Sequence, residues 1–253
     1  MDNPFSLEGK NIIVTGASSG IGRKCAMDCA AMGARVILIG RNEQRLQETM
    51  LQMANDNHVL LSLDLTNIEL MAQKVKEVVK EVGFIAGVIN CAGVSSVTPL
   101  KLIKETDMTA MIQSNIYSAL FLTKEICRMG HYDKTGTSII FLSSIMGLVG
   151  DNAKTMYSLT KGALQSACRS LAIELAPKKI RVNCVAPGAI MTPINANLPH
   201  MADPEKRAVL EAKHPLGLGE TSDISNACIY LLSDAARWVT GQTIAVDGGY
   251  TAY

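Results

Sequence analysis

The stretch "MYSLTKGAL", residues 156–164, sets a tyrosine four residues before a lysine at the start of a helical pattern. On a helix, positions i and i+4 lie ~40° apart, so Tyr157 and Lys161 share one face. A free phenol ionises only near pH ~10 and is inert at neutrality. A cation beside it favours the phenolate, and on that reasoning Lys161 lowers the pKa of Tyr157. The pair would then give and take a proton near neutral pH. Such a spacing also arises by chance, so its meaning depends on what the rest of the chain brings to it.

A second chemical signal is "TGASSGIG", residues 15–22, which follows the apolar run "NIIVTG" and leads into "RKCAMDCAAMGA". Glycines at 16, 20 and 22 stand where a strand turns into a helix. A turn without Cβ atoms lets backbone N–H groups close on a pyrophosphate, and the helix N-terminus adds positive potential. The spacing G-x-x-x-G-x-G differs from G-x-G-x-x-G, and no Gly-Lys-Ser/Thr follows as in a nucleoside-triphosphate loop. The turn therefore points to a dinucleotide, held by Gly16, Ser18, Ser19, Gly20, Ile21 and Gly22.

The end of the next apolar run selects between dinucleotides. An NAD site places an acid ~20 residues beyond the glycines, on the ribose 2′-hydroxyl. Here "LIGRNEQR" has Gly40 in that place and then Arg41. A guanidinium grips a 2′-phosphate through paired charge-assisted bonds, which favours NADP (NADPH), with NAD as the alternative. Glu43 nearby works against this, and Arg41 also fits an ordinary helix-start residue. Asp64 and Leu65, at the end of the third run, are placed to contact the adenine.

These residues need a frame. Seven short aliphatic runs ("NIIVTG", "RVILIG", "HVLLSL", "GVINCAG", "SIIFLSS", "RVNCVAPG" and "QTIAVDGG") alternate with helical patterns such as "LMAQKVKEVVKEV" and "ALFLTKEICRM". Apolar strands separated by helices indicate a parallel sheet covered on both faces. The expectation is an α/β fold: a single-domain, Rossmann-like, doubly wound parallel sheet of about seven strands spanning 1–253. Residues 187–222 carry five prolines around a short helical pattern, and a lid over the substrate is expected at about 190–216.

Bulk properties narrow the function classes. Of 253 residues, 48% are hydrophobic and 19% charged, with net charge +1, an ordinary globular composition. Nothing in that balance points to nucleic acid or an anionic membrane. No apolar run approaches the ~18 residues of a membrane span, and the N-terminus lacks a signal-peptide pattern, so a cytoplasmic location is expected. Seven scattered cysteines read as reduced core residues; Cys25 and Cys29 share a helix face, but no histidine completes a metal pattern with them.

Taken in order along the chain, the motifs resemble the short-chain dehydrogenase/reductase family nearly end to end. The glycine motif spans Thr15 to Gly22. The N-N-A-G motif is "NCAG", Asn90 to Gly93, with Cys91 in place of the second asparagine. The active-site asparagine matches Asn115 in "IQSNIYSALFLT", and the serine matches Ser144 in "IIFLSSIMG", thirteen residues before Tyr157. The P-G motif is "APGAIMT", and "GQTIAVDGG" resembles the closing strand of the 3-oxoacyl-carrier-protein reductase branch.

The resemblance implies a ketone/secondary-alcohol oxidoreductase with Asn115, Ser144, Tyr157 and Lys161 as catalytic residues. It implies that Tyr157 exchanges the proton, that Ser144 bonds the substrate oxygen and that Asn115 anchors a water. It also implies that Lys161 and Tyr157 touch the nicotinamide ribose. Further cofactor contacts are implied at Asn90, Ala92, Gly93, Pro187, Gly188, Ile190 and Thr192, the last two fixing the carboxamide. Ser143 is a rival for the role of Ser144, and Asn90 also reads as a brace between strands. The implied substrate is a 3-oxoacyl thioester, with acyl carrier protein as a partner through Lys178; a sugar, steroid-like or other small ketone is the alternative. Ile194, Leu198, Met201, Val209 and Leu210 are candidates for one pocket wall. The segment "HPLGLGETSDIS" lacks the arginine often found before its second glycine. A non-catalytic dinucleotide sensor would not need the four catalytic residues together. A homotetramer is implied through helices 106–129 and 156–177 and the C-terminal "VDGGYTAY".

Overall fold

The computed structural model describes residues 3–192 and 203–252. Each aliphatic run forms a strand: β1 (Asn11–Thr15), β2 (Arg35–Gly40), β3 (Val59–Ser62), β4 (Gly87–Asn90), β5 (Thr137–Leu142), β6 (Ile180–Pro187) and β7 (Thr243–Val246). They form one sheet ordered β3-β2-β1-β4-β5-β6-β7, every neighbour parallel. Parallel neighbours need a crossover between them, and helices supply it. These are α1 (Gly20–Ala31), α2 (Glu43–Met50), α3 (Ile68–Val82), α4 (Glu105–Ile112), α5 (Ser118–Ile126) and α6 (Thr155–Leu175). After β6 come α7 (Pro204–Ala212) and α8 (Thr221–Leu232).

Side chains alternate across each strand, and the two sets feed different cores. Ile12, Val14, Val36 and Leu38 pack with Cys25 and Cys29 of α1 and Ile224 and Cys228 of α8. Ile13, Ile37 and Ile39 pack instead with Met71 and Val75 of α3 and Leu122 of α5. A third cluster joins Phe141 and Val182 to Leu164 and Cys168 of α6. β4 and β5 are buried along their whole length, while the edge strand β3 is only half-buried. Burying one large aliphatic side chain contributes roughly 1.5–3 kcal/mol, so the register of the central strands is strongly held. The cysteines are all free, and the thiols of Cys25 and Cys228 hydrogen-bond within the first core.

Chain direction diverges between β1 and β4. The strands numbered before β4 lie on one side and those after it on the other, leaving a crevice at the carboxyl ends. Between α4 and α5 the helix does not break but widens into a π turn over Gln113–Tyr117. No described helix is long and apolar enough to cross a membrane.

Candidate active site

The carboxyl ends of β1, β4, β5 and β6 open into one cavity of about 1530 Å³. Its floor at β1 is the glycine turn. Gly16 has φ +67, and a Cβ on it would lie 3.1 Å from Ala92 Cα. A Cβ on Gly22 would collide with the carbonyl of Gly16. The turn thus needs glycine twice: once for a left-handed backbone, once for helix-to-turn contact. Ser19 heads α1 without a side-chain cap, so the first N–H groups of that helix are left for the cavity. In contrast, α2 and α3 are capped by Asn42 and Asn67.

Thr15, named from the sequence only as the first residue of the glycine motif, is the last residue of β1. Its Oγ1 accepts from the N–H of Cys91 at 3.0 Å and of Ala92 at 2.9 Å, pinning the end of β4 against the glycine turn. Cys91 fits this tight bend, and burial pushes its thiol well above the ordinary value.

On the other side, Ser144 follows β5, and Tyr157 and Lys161 occupy the first two turns of α6. All three line the cavity. The Ser144 hydroxyl accepts from Met146 N–H at 3.1 Å and hydrogen-bonds Tyr157. Ser143, the rival, is committed elsewhere: its Oγ donates to the Lys161 carbonyl at 2.9 Å and accepts from Gln165 Nε2 at 2.9 Å. Gln165 also donates to the Ser144 carbonyl at 3.1 Å. It lies one turn beyond Lys161 on the same face, a signal the helical register already contained.

The electrostatics differ from the expected lowering of the Tyr157 pKa. Burial pushes this phenol up, and the Ser144 hydrogen bond opposes it only in part. Lys161 is itself buried and is pushed down to about 8. Its ammonium donates to the Leu142 carbonyl at 2.7 Å and stands 5.7 Å from the Tyr157 ring centroid. Desolvation is thus the dominant influence on both groups. Tyr157 is a protonated phenol at neutral pH, in the form of a proton donor.

Asn115 sits in the π turn, buried behind the cavity wall. Its Oδ1 accepts from Val94 N–H at 2.7 Å, and its Nδ2 donates to the Val94 carbonyl at 2.9 Å and to Thr160 Oγ1 at 3.1 Å. A Cβ on Gly93 would lie 3.0 Å from Asn115 Oδ1 and 3.6 Å from Lys161 Nζ. Close approach of the β4 loop to α6 thus depends on that glycine.

Asn90, expected among the cofactor contacts, does not line the cavity. It is buried, and its Nδ2 donates to the Ile140 carbonyl at 3.4 Å, bracing β4 against β5. The other expected contacts, from Gly16, Ser18, Ser19, Gly20, Ile21 and Gly22 through Arg41, Asp64 and Leu65 to Ala92 and Gly93, line the cavity. So do Pro187, Gly188, Ile190 and Thr192. Backbone and hydroxyl hydrogen bonds from Thr66 hold the Asp64 carboxyl below its ordinary range, with Arg41 adding to the effect. Arg41 is part of the lining and Glu43 is not.

Val209 and Leu210 of α7 reach the cavity, as expected; Ile194, Leu198 and Met201 lie outside the described residues. His214, which no sequence pattern marked, fastens α7 to the loop after β6. Its Nε2 accepts from Ala189 N–H at 3.1 Å, which leaves the Nδ1 proton for the Leu210 carbonyl at 2.8 Å. Gly219, the second glycine of the segment without arginine, pairs with this loop: Met191 N–H donates to its carbonyl at 3.1 Å. Among the described residues, no cluster of His, Cys, Asp or Glu is arranged to hold a metal.

Uncapped N–H groups, a glycine cradle that a Cβ would fill, and a guanidinium at the far end suit a dinucleotide. Known proteins agree. The family model described as "Enoyl-(Acyl carrier protein) reductase" matches residues 16–251. The chain is 34% identical to a 3-oxoacyl-(acyl-carrier-protein) reductase of Escherichia coli (strain K12) over 97% of this chain and 98% of that one. A short-chain type dehydrogenase/reductase from Mycobacterium marinum superposes with TM-score 0.89 at 29% identity, covering 99% and 98% of the two chains. A protein from Beutenbergia cavernae described as an NAD(P)-dependent gluconate 5-dehydrogenase, with bound NADP, also gives TM-score 0.89 at 29% identity, covering 99% and 100%.

Proposed function

The chain belongs to the short-chain dehydrogenase/reductase family, which acts on CH–OH groups with NAD(P), and we propose that it interconverts a ketone and a secondary alcohol using NADP(H). The observation that carries this is the convergence of Ser144, Tyr157 and Lys161 on the same cavity as the glycine turn. Bound nicotinamide supplies or accepts the hydride. The residues of the chain handle the proton and the developing charge.

In the direction of reduction, the buried Tyr157 hydroxyl donates its proton to the oxygen that becomes the alcohol. Ser144 donates to the same oxygen and stabilises its negative charge before the proton arrives. Lys161, cationic at neutral pH and next to the ring, steadies the phenolate left behind. Asn115 keeps the role that the resemblance gives it, anchoring the water that carries a proton in from solvent, while also bracing Val94 and α6. Ile190 and Thr192 hold the carboxamide, and α7 covers the substrate through Val209 and Leu210, while residues 193–202 of the expected lid lie outside the described residues.

NADPH is preferred on two grounds. No carboxylate stands at Gly40, and Arg41 and Ser18 both line the adenosine end of the cavity. The Beutenbergia relative holds NADP as well. As substrate, the 3-oxoacyl thioester is the class favoured by resemblance and by the Escherichia coli relative, with acyl carrier protein as the partner at the exposed Lys178. A second reading, a small polar ketone or keto sugar, is favoured by Ser95, Ser96 and Asn152 in the lining. The enzyme works as a homotetramer: Tyr117 and Ile173, on the two helical segments expected to pair, are 48% and 78% exposed.

Absorbance assays with acetoacetyl thioesters, quinones and keto sugars, each with NADPH and NADH, test the proposal. The expected result is turnover of at least one ketone with a higher kcat/KM for NADPH, reduced roughly tenfold or more in Arg41→Ala. Tight NADPH binding without turnover of any ketone would favour the sensor instead. A strong NADH preference would overturn the Arg41 assignment alone.

A further inference from the structure

Lys154 has no part in the chemistry described so far. It stands immediately before α6, is 8% exposed and lines the cavity. Its Nζ lies 5.6 Å from the centroid of the Tyr157 ring. Among the described residues its carbonyl accepts from Ser158 N–H at 2.8 Å, but its ammonium makes no hydrogen bond and no ion pair, only the cation–π contact with that ring. The ion pairs among the described residues all involve other cations, and Asp151, whose charge acts on Lys154, is exposed and accepts from the N–H of Asn152.

This placement is unfavourable in three ways. Burial disfavours the ammonium. The amino end of a 21-residue helix repels a cation. The backbone leading to it is strained as well: Ala153 has φ 57, a conformation that costs an L-residue of this kind about 1–2 kcal/mol. That turn is held by Thr98 N–H, which donates to the Ala153 carbonyl at 2.7 Å from the loop after β4. A buried ammonium held in this way at a cavity wall, with an aromatic face and a distant exposed carboxylate but no anion in contact, has the chemistry to receive one.

We propose that Lys154 recognises an anionic group on the substrate, a carboxylate or a phosphate, borne within a few atoms of the carbonyl carbon that reacts at Tyr157. The inference rests on the ketone/alcohol reading above and, within it, departs from the thioester in favour of the second reading, a small polar ketone that also carries an anion. A thioester whose only phosphate lies a pantetheine arm away does not place an anion here; an oxo acid or a phosphorylated small ketone does.

The test compares matched pairs with NADPH present: 3-, 4- and 5-oxo acids against their methyl esters, and dihydroxyacetone phosphate against dihydroxyacetone. The measured quantity is the kcat/KM ratio of anion to neutral partner, which cancels any general effect of the substitution on Tyr157. Wild type should favour the anion, and Lys154→Met should cut that ratio roughly 10- to 100-fold, while Lys154→Arg retains most of it. A collapse confined to the oxo acids assigns a carboxylate, and one confined to the phosphate pair assigns a phosphate. Equal ratios in wild type and Lys154→Met, or wild-type preference for the neutral partners, would overturn the inference and leave the reductase reading standing. If no pair is turned over, calorimetric titration of the same anions decides. Binding that is lost in Lys154→Met supports the anion site although the reductase reading has failed; identical heats in both proteins overturn it.

Discussion

Asn115 Nδ2 donates to Thr160 Oγ1 at 3.1 Å, joining the π turn between α4 and α5 to the helix that carries Tyr157 and Lys161. The same carboxamide holds both backbone groups of Val94, just beyond Gly93. One side chain thereby sets the spacing between the β4 loop and α6, across which the candidate catalytic groups face the cavity. A π turn inserts one residue into the helical ladder and re-aims the side chains within it, a device common at functional sites.

Replacing Asn115 by Ala would leave the Val94 N–H and carbonyl without their partner. Two fully buried orphaned groups would cost roughly 2–6 kcal/mol, but Val94 is exposed and water can replace part of the loss, so the variant should lose about 2 kcal/mol of stability. Urea denaturation checks this. A loss below about 0.5 kcal/mol would show that the brace is dispensable.

Much of this arrangement was legible in the sequence. All seven strands are where aliphatic runs stood, because a sheet covered on both faces demands near-continuous apolar strands. The glycine turn was legible because two of its glycines meet backbone constraints that no other residue satisfies. The π turn was not, since one inserted residue shifts the apolar spacing over too short a segment to stand out from a regular helical pattern. Asn115 stood out only as a poor helix former in a helical pattern. The choice between Ser143 and Ser144 needed the location of Gln165 and the carbonyl of Lys161. His214 and Lys154 are single residues in loops, where position depends on tertiary contacts and leaves no periodic trace.

The direction of the Tyr157 shift was misjudged for a physical reason. Helical spacing shows that Tyr157 and Lys161 are neighbours, but not how far both are withdrawn from water. Desolvation acts against each charged form and is the largest influence on both groups, although ring and ammonium stand only 5.7 Å apart.

The buried Lys161 makes fold stability depend on pH in a defined sense. Its folded pKa is depressed to about 8, against ~10.4 in an unfolded chain. Below pH ~8 both states hold the proton, and the folded state bears the full cost of a buried ammonium. Between pH ~8 and ~10.4 the unfolded state binds more protons, so the contribution of this group to stability rises with pH. The stability difference between wild type and Lys161→Met should therefore shift in favour of wild type by on the order of 3 kcal/mol from pH ~7 to ~10.5. Denaturant titrations of both proteins across that range measure it, and a flat difference would contradict the burial of the cation.

Gly16→Ala tests the floor of the cavity. A side chain at φ +67 costs about 1–2 kcal/mol, and its Cβ would press on Ala92. The variant should stay folded, with stability reduced by about that amount, and bind NADPH at least roughly tenfold more weakly as the turn shifts away from α1. Fluorescence titration reads the affinity; unchanged binding would mean that the turn is not the pyrophosphate cradle.

The central claim is that the Tyr157 hydroxyl transfers the proton, and the most direct measurement is single-turnover reduction by Tyr157→Phe with a ketone that wild type accepts. Removing one oxygen atom leaves the ring beside Lys161 in place, so NADPH affinity should stay within a few-fold of wild type. The reduction rate should fall by roughly 100-fold or more, the loss expected for a missing general acid. A rate comparable to wild type, with NADPH bound equally well, would contradict the account.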